Sequence, residues 1–383
     1  MKNRKNQSVI YINYAPYGNT GNILTYMRDT FQTVIYIEFI FHHLGRMQSA
    51  IYHYQLGKLV KVESISQIPI PATYVFIALP IRSFINFLQI IFHSIRLYRK
   101  YHKFDIFFSV NAFTSWCGNI LKNLGIVTKT IFWVWDYYPP VHENRMVMFI
   151  RSIYWIFDKA AISSDRVIFL NNRLLELRRK IGILPKEEKY PIVGIGTVIN
   201  KTMKRTLHKP LRIAYLGAVK KSQGLDFIFD HAEYIVKNFH PMEIHVFGGG
   251  PDEERFKKRA SRCPIQCIFH GYISDSGALQ KSLSQCDIGL ALYMPDPGNV
   301  SYYGDPSKIK AYISLGIPVI TTDVFWFVNE LQKSHAGIIT AYEPVAFTKG
   351  LLKIVNKYDY YSNSAYVLAA RYNYKNLYET IFF

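Results

Sequence analysis

At 383 residues, 49% hydrophobic and 19% charged, the chain is long enough for two hydrophobic cores and too apolar for intrinsic disorder. Four cysteines exclude a disulfide framework at this length, and Cys263 and Cys267 lack the second Cys or His pair that a zinc site needs. The net charge of +19 points to an anionic partner.

That charge is unevenly divided. Residues 1–200 hold 24 Lys and Arg against 11 Asp and Glu, a net +13, which leaves +6 for residues 201–383. A basic half rich in tyrosine and phenylalanine suits a membrane surface first and nucleic acid second. General basicity of the source proteome would give the same numbers. Lys and Arg are dispersed and no recognition motif occurs, so nucleic acid is set aside.

The start, "MKNRKNQSVIYINYAP", reads as a first strand and not as a signal peptide, because Asn13 interrupts a short apolar run. "NYAPYGNTGN" follows, with Gly18 and Gly21 flanking Asn19 and Thr20 in a loop. "VIYIEF" is a second strand. In residues 74–103, Pro80 and the polar Arg82, Asn86, Gln89, His93 and Arg96 argue against a membrane span. Phe84, Phe87, Leu88, Ile91 and Ile95 recur there at helical spacing before the basic "RLYRKYHK". The segment reads either as a core-facing helix or as an interfacial anchor.

"FDIFFSV", "KTIFWVW" and "RVIFL" continue the strands, with Asn111 after the first of them. "FWVWDYYPP" places Asp136 at a strand end between Trp135 and Tyr137, with Tyr138 next. An acid held there by apolar neighbours could orient or deprotonate an acceptor hydroxyl, or merely cap the next turn. "KTMKRTLHKP" then reads as a linker over 201–210.

"LRIAYLG", "MEIHVFGGG", "QCIFHGY", "CDIGLAL" and "IPVITTD" repeat the alternation of strand and helix, which implies parallel sheets with right-handed crossovers. After the first of these strands come Gly217, Lys220, Lys221 and Ser222; after the second, Gly248, Gly249, Gly250 and Pro251, where backbone amides can approach a ligand. Gly271 and Tyr272 end the third and could pair with a flat base. In "GDPSKIKAYISLGIPVITTD", Asp305 suits an N-cap and Pro306 a first helical position. Ser307 and Lys308 then lie in the first turn and Tyr312 one turn on. Backbone amides, helix dipole and ammonium together suit a diphosphate. No Asp-x-Asp occurs, so a metal-bridged diphosphate is not indicated, and basic groups would neutralise the leaving group.

The order of "YLGAVKKSQGLD", "VFGGGPDEE", "FHGYIS", "LSQCDIGLAL" and "PSKIKAYISLGIPVI" resembles the GT-B glycosyltransferases, with residues 211–383 like family four of that classification. The resemblance implies an α/β fold of two doubly wound Rossmann-like domains facing each other across a cleft. It divides the chain into an acceptor-binding domain over 1–200, a nucleotide-sugar domain over 211–362 and a helix over 363–383 that crosses back to the first. It implies a nucleotide-sugar donor as substrate with no cofactor, and retention of anomeric configuration. Gly18 to Gly21 would then face acceptor and donor phosphates, Asn111 would occupy a catalytic position, and Glu330 would contact donor sugar or phosphate. Tyr303 and Ala311 stand where the family has two glutamates, and Gln223-Gly224 where it has Lys-Gly. In this the stretch is similar to bacterial galactofuranosyl-type transferases.

The expectation is a cytoplasmic transferase at the inner face of the membrane, moving sugar to a glycan or lipid-linked acceptor in cell-surface polysaccharide synthesis. Two alternatives stay open. One is a glycan-binding or partner subunit that lost activity with its glutamates; the other is a nucleotide-sugar epimerase, for which only Asp136 is well placed.

Overall fold

The computed structural model describes residues 6–15, 21–40, 48–68, 75–135, 137, 144–184, 188–199, 204–221, 223–239, 241–294 and 300–383. The chain forms two compact units: unit 1 is Met1–Gly196 with Tyr374–Phe383, and unit 2 is Thr197–Asn373. Each is an α/β unit around a largely or wholly parallel sheet, Rossmann-like as expected.

Unit 1 holds seven strands: β1 (Ser8–Ala15), β2 (Thr33–Ile40), β3 (Ala50–Gln55), β4 (Lys58–Ser64), β5 (Phe104–Ser109), β6 (Val127–Val134) and β7 (Arg166–Phe169). Their order is β4-β3-β2-β1-β5-β6-β7. The central strands are near-continuous apolar runs because helices cover both faces of a parallel sheet. Ile10, Ile12, Ile35, Ile37 and Phe107 meet Phe113 and Leu121 of helix Ala112–Asn123 in one core cluster.

Strict strand–helix alternation fails at one edge. β3 and β4 form an antiparallel hairpin on β2. Its two-residue turn puts Leu56 at φ 47° and Gly57 at φ 79°, the paired positive angles that a tight hairpin needs. Arg28 clamps the turn by donating to the Gly57 carbonyl at 3.0 and 3.2 Å.

Helix Val75–Tyr101 runs through Pro80, which does not break it. By length and composition it is the one helix among the described residues that could cross a bilayer, over Ala78–Tyr101. Its Ile90 and Leu97 nevertheless belong to the sheet's core cluster, so it lies along the unit. The five apolar residues at helical spacing divide: Phe87 and Ile91 pack against that cluster, as a core-facing helix would have them, whereas Phe84, Leu88 and Ile95 point outward.

Unit 2 holds β8 (Leu211–Leu216), β9 (Met242–Phe247), β10 (Gln266–Gly271), β11 (Ile288–Ala291), β12 (Val319–Thr321) and β13 (Gly337–Ile339). All are parallel, in the order β10-β9-β8-β11-β12-β13. Strand order therefore reverses between β8 and β11, the crevice where doubly wound sheets take ligands. The described part of the expected linker is tied to this unit. Arg205 donates to the Ser284 carbonyl at 3.0 Å and the Leu315 carbonyl at 3.2 Å.

Candidate donor site at the switch point of unit 2

The site is built where β8 and β11 end. Gly217 leaves β8 at φ 136°, and Lys308 reaches back to it from the first turn of helix Ser307–Ser314. A Cβ on Gly217 would lie 3.1 Å from the Lys308 ammonium, close enough that the lysine would have to shift by a few tenths of an ångström. The ammonium sits over the Tyr293 ring at 4.6 Å and the Tyr215 ring at 5.2 Å. It donates to Gln223 Oε1 at 3.3 Å. It has no carboxylate partner among the described residues. Burial first, and repulsion from Lys220 second, push its pKa down to about 7.

The glycine turn after β9 packs beside this lysine. A Cβ on Gly248 would stand 2.1 Å from the Gly217 carbonyl oxygen, and one on Gly250 2.3 Å from that of Val219. Close passage of two backbones thus dictates these glycines. Val219 N–H donates to the Gly249 carbonyl at 3.0 Å and Gly248 N–H to that of Gly271 at 2.8 Å, joining the ends of β8, β9 and β10. The amides of Gly249, Gly250 and Lys308 make no hydrogen bond among the described residues, which leaves them to a ligand. Glu253 brings a carboxylate beside Gly249, and Lys257 pairs with it at 2.8 Å.

The remaining donor-side expectations divide. Lys220 and Lys221 are exposed at the rim, and the Lys221 amide donates to Asp252 at 2.6 Å. Ser307 is the exposed first residue of the helix, Pro251 and Tyr272 are exposed, and Tyr303 packs edge-on to Tyr302. Ser222 lies outside the described residues. Tyr312 is corrected: its side chain is buried against Gly289, and its hydroxyl donates to the Ala214 carbonyl at 3.0 Å, pinning the helix to the sheet. Glu330 accepts from the Tyr372 hydroxyl and acts on the nearby Lys310. Asp305 does not cap the helix, whose N-cap is Pro306; its carboxylate pairs with the buried Lys310.

Tyr215 and Tyr293 were not expected at the site: both stand at strand ends, two residues before Gly217 and just before "MPDPGN", where an aromatic residue reads as core.

In unit 1, Asn111 caps helix Ala112–Asn123 by accepting from the Phe113 amide at 2.9 Å, so its side-chain oxygen is committed to structure. It lines a small pocket with Trp135, Arg151 and Asp158. The Trp135 indole N–H there has no hydrogen-bond partner among the described residues. Tyr137 is buried, its ring 6.3 Å from that of Trp155, and does not face outward. Gly21 sits at φ 70° under Ile195 and Tyr378, whose hydroxyl donates to its carbonyl. Gly18, Asn19, Thr20, Asp136 and Tyr138 lie outside the described residues.

No curated protein matches the chain. Among solved structures, a mutant of S. aureus TarM in complex with Fondaparinux, alpha-GlcNAc-glycerol and UDP superposes with a TM-score of 0.54 at 14% identity over 72% of this chain. The chain spans about half of TarM, 54% of its length. Anabaena Alr3699/HepE in complex with UDP gives 0.63 at 13% identity, over 98% of both chains. Sucrose-phosphate synthase from Thermosynechococcus elongatus gives 0.65 at 13% identity, over 98% of this chain and 96% of that one. These likenesses establish the GT-B fold, and within it residues 210–357 match the family of glycosyl transferases group 1.

Proposed function

We propose that the chain transfers a sugar from a nucleotide-sugar donor to a glycan or lipid-linked acceptor in cell-surface polysaccharide synthesis. The observation that carries this reading is Lys308, a part-buried ammonium in a helix's first turn with no carboxylate partner among the described residues. A donor diphosphate would supply the missing charge. The free amides of Gly249 and Gly250 and the helix dipole would add to the neutralisation, and Lys220, Lys221 and Ser307 would line the rim. As the glycosidic bond breaks, negative charge grows on the leaving diphosphate, and groups already aimed there stabilise it without reorganising. UDP in the TarM and HepE complexes supports a nucleotide donor.

The base would lie against Gly271 and Tyr272, with Tyr303 nearby. The acceptor would use unit 1, where the Trp135 indole offers a hydrogen-bond donor and Asp136 follows it in sequence. Metal-independent transfer, retention of configuration, the galactofuranosyl-like variant of the helix and peripheral contact with an anionic membrane complete the reading. One observation favours a second: Tyr303 and Ala311 replace two glutamates, as a non-catalytic subunit that retained the fold would allow.

Thermal stabilisation across nucleotides and nucleotide sugars tests this. A ligand at a hundred times its Kd adds about 2.7 kcal/mol. One nucleotide diphosphate should raise the melting temperature, and Lys308→Ala should abolish both the rise and turnover of its sugar nucleotide. Binding without turnover would select the non-catalytic subunit; no binding to any nucleotide would overturn both.

A further inference from the structure

Helix Val75–Tyr101 of unit 1 is inverted relative to a water-facing helix. Its inward face buries Arg82, Ser83, Asn86 and Ser94 beside Ile90 and Leu97. Arg82 donates to the Ile40 carbonyl at 2.8 Å, and Ser83 shares a 3.0 Å hydrogen bond with Tyr14. Its outward face is the apolar one. Ile81, Phe84, Leu88, Phe92 and Ile95 succeed one another at helical spacing, with Phe84 63% and Phe92 64% exposed. The adjacent helix Arg145–Ala161 exposes Met146, Phe149 and Ile156. Between the two runs an apolar groove of about 250 Å³, lined by Phe84, Phe87, Phe113, Trp116, Ile153 and Phe157.

A contiguous apolar surface of this kind marks a partner, and charge indicates which one. Helix Val75–Tyr101 carries no acidic residue, and its stripe ends in the exposed Arg99 and Lys100, followed by Lys103. Arg99 lies five helical turns beyond Ile81, on the same side. Apolar side chains ending in cations complement an anionic lipid surface. We propose that the two helices form a docking surface that lies in the plane of an anionic bilayer, with one lipid chain entering the groove. This rests on the membrane contact proposed above and assigns it to particular side chains.

Flotation of the full chain with phosphatidylglycerol vesicles tests the assignment, with phosphatidylcholine vesicles as comparison. The protein should float with the anionic vesicles, less so as salt rises, and weakly with the zwitterionic ones. Phe84→Glu with Phe92→Glu should lower partitioning at least tenfold. Arg99→Glu with Lys100→Glu, a polar-for-polar pair that spares the fold, should lower binding to anionic vesicles by about tenfold or more. Both variants should keep the melting temperature. Failure to float with anionic vesicles, or variants that float like the parent, would overturn the docking surface. So would a dimer that the Phe84, Phe92 pair converts to monomer, since a second copy would then cover the face. The nucleotide-induced thermal shift is read separately, so loss of the donor reading and loss of the docking surface are distinct results.

Discussion

Lys308 is an ammonium in surroundings that favour its neutral form. Two tyrosine rings and an amide oxygen stabilise the cation less than a carboxylate would, and burial with Lys220's repulsion lowers its pKa from 10.5 to about 7. The folded state therefore binds fewer protons than the unfolded chain between pH 7 and 10.5, and stability rises with pH across that window. The penalty is complete below pH 7 and gone above 10.5. Lys308→Met should stabilise the unliganded protein by roughly 1–3 kcal/mol at pH 6 and hardly at all near pH 10.5, read by urea unfolding at both values. A diphosphate bound beside the ammonium reverses the preference and restores the proton. Binding at pH 8 should then take up a proton, visible as a buffer-dependent calorimetric enthalpy and absent in the variant. Equal stability of variant and parent at pH 6 would show that the lysine carries no burial penalty.

At the scale of elements, what holds each helix in place separates residues that shape the site from residues that touch a ligand. Asn111 shows the difference. Polarity and position at a strand end suit an acceptor contact, but the side chain bonds the Phe113 amide, and Ser109 Oγ donates to the Asn111 carbonyl at 2.7 Å. Asn111→Ala should cost about 1 kcal/mol of stability, and Asn111→Asp, which keeps the capping oxygen, should restore it together with whatever activity Ala removes. Activity that stays lost in Asn111→Asp while stability recovers would return the residue to a direct role. Tyr312 misleads in the same way. Spacing from Lys308 fixes a shared side of the helix, but only the packing shows that one turn deeper that side meets the carbonyls of β8 and β11. The glycines and Lys308 were legible because backbone geometry and a helix start restrict residue type. Tyr215 and Tyr293 were not, because an aromatic residue at a strand end reads as core until a cation is placed against it.

For the molecule as a whole, the periodic signal carried the parallel strands of both sheets, whose buried apolar runs are long and evenly spaced. It missed the β3–β4 hairpin, where a Leu-Gly turn lacks the usual Asn-Gly or Asp-Gly signature and β4 is mostly exposed, and it missed the three-residue β13. Which unit the last residues join was decided by aromatic packing that no local pattern encodes. Residues 374–383 belong to unit 1. Tyr378 is buried against Trp133 at 5.3 Å and accepts from the Gly196 amide at 2.8 Å. Phe382 lies against Phe31, Phe108 and Tyr26 with ring centres 5.2, 5.6 and 5.7 Å away. Truncating such a ring leaves a cavity, so Phe382→Ala should cost about 3–5 kcal/mol. That loss falls on unit 1 alone, because every one of these partners lies in it. Thermal unfolding of Phe382→Ala should show a transition displaced downward while the donor nucleotide still stabilises the other. If Phe382→Ala instead abolished the nucleotide's effect, these ten residues would be supporting the donor site rather than the core of unit 1.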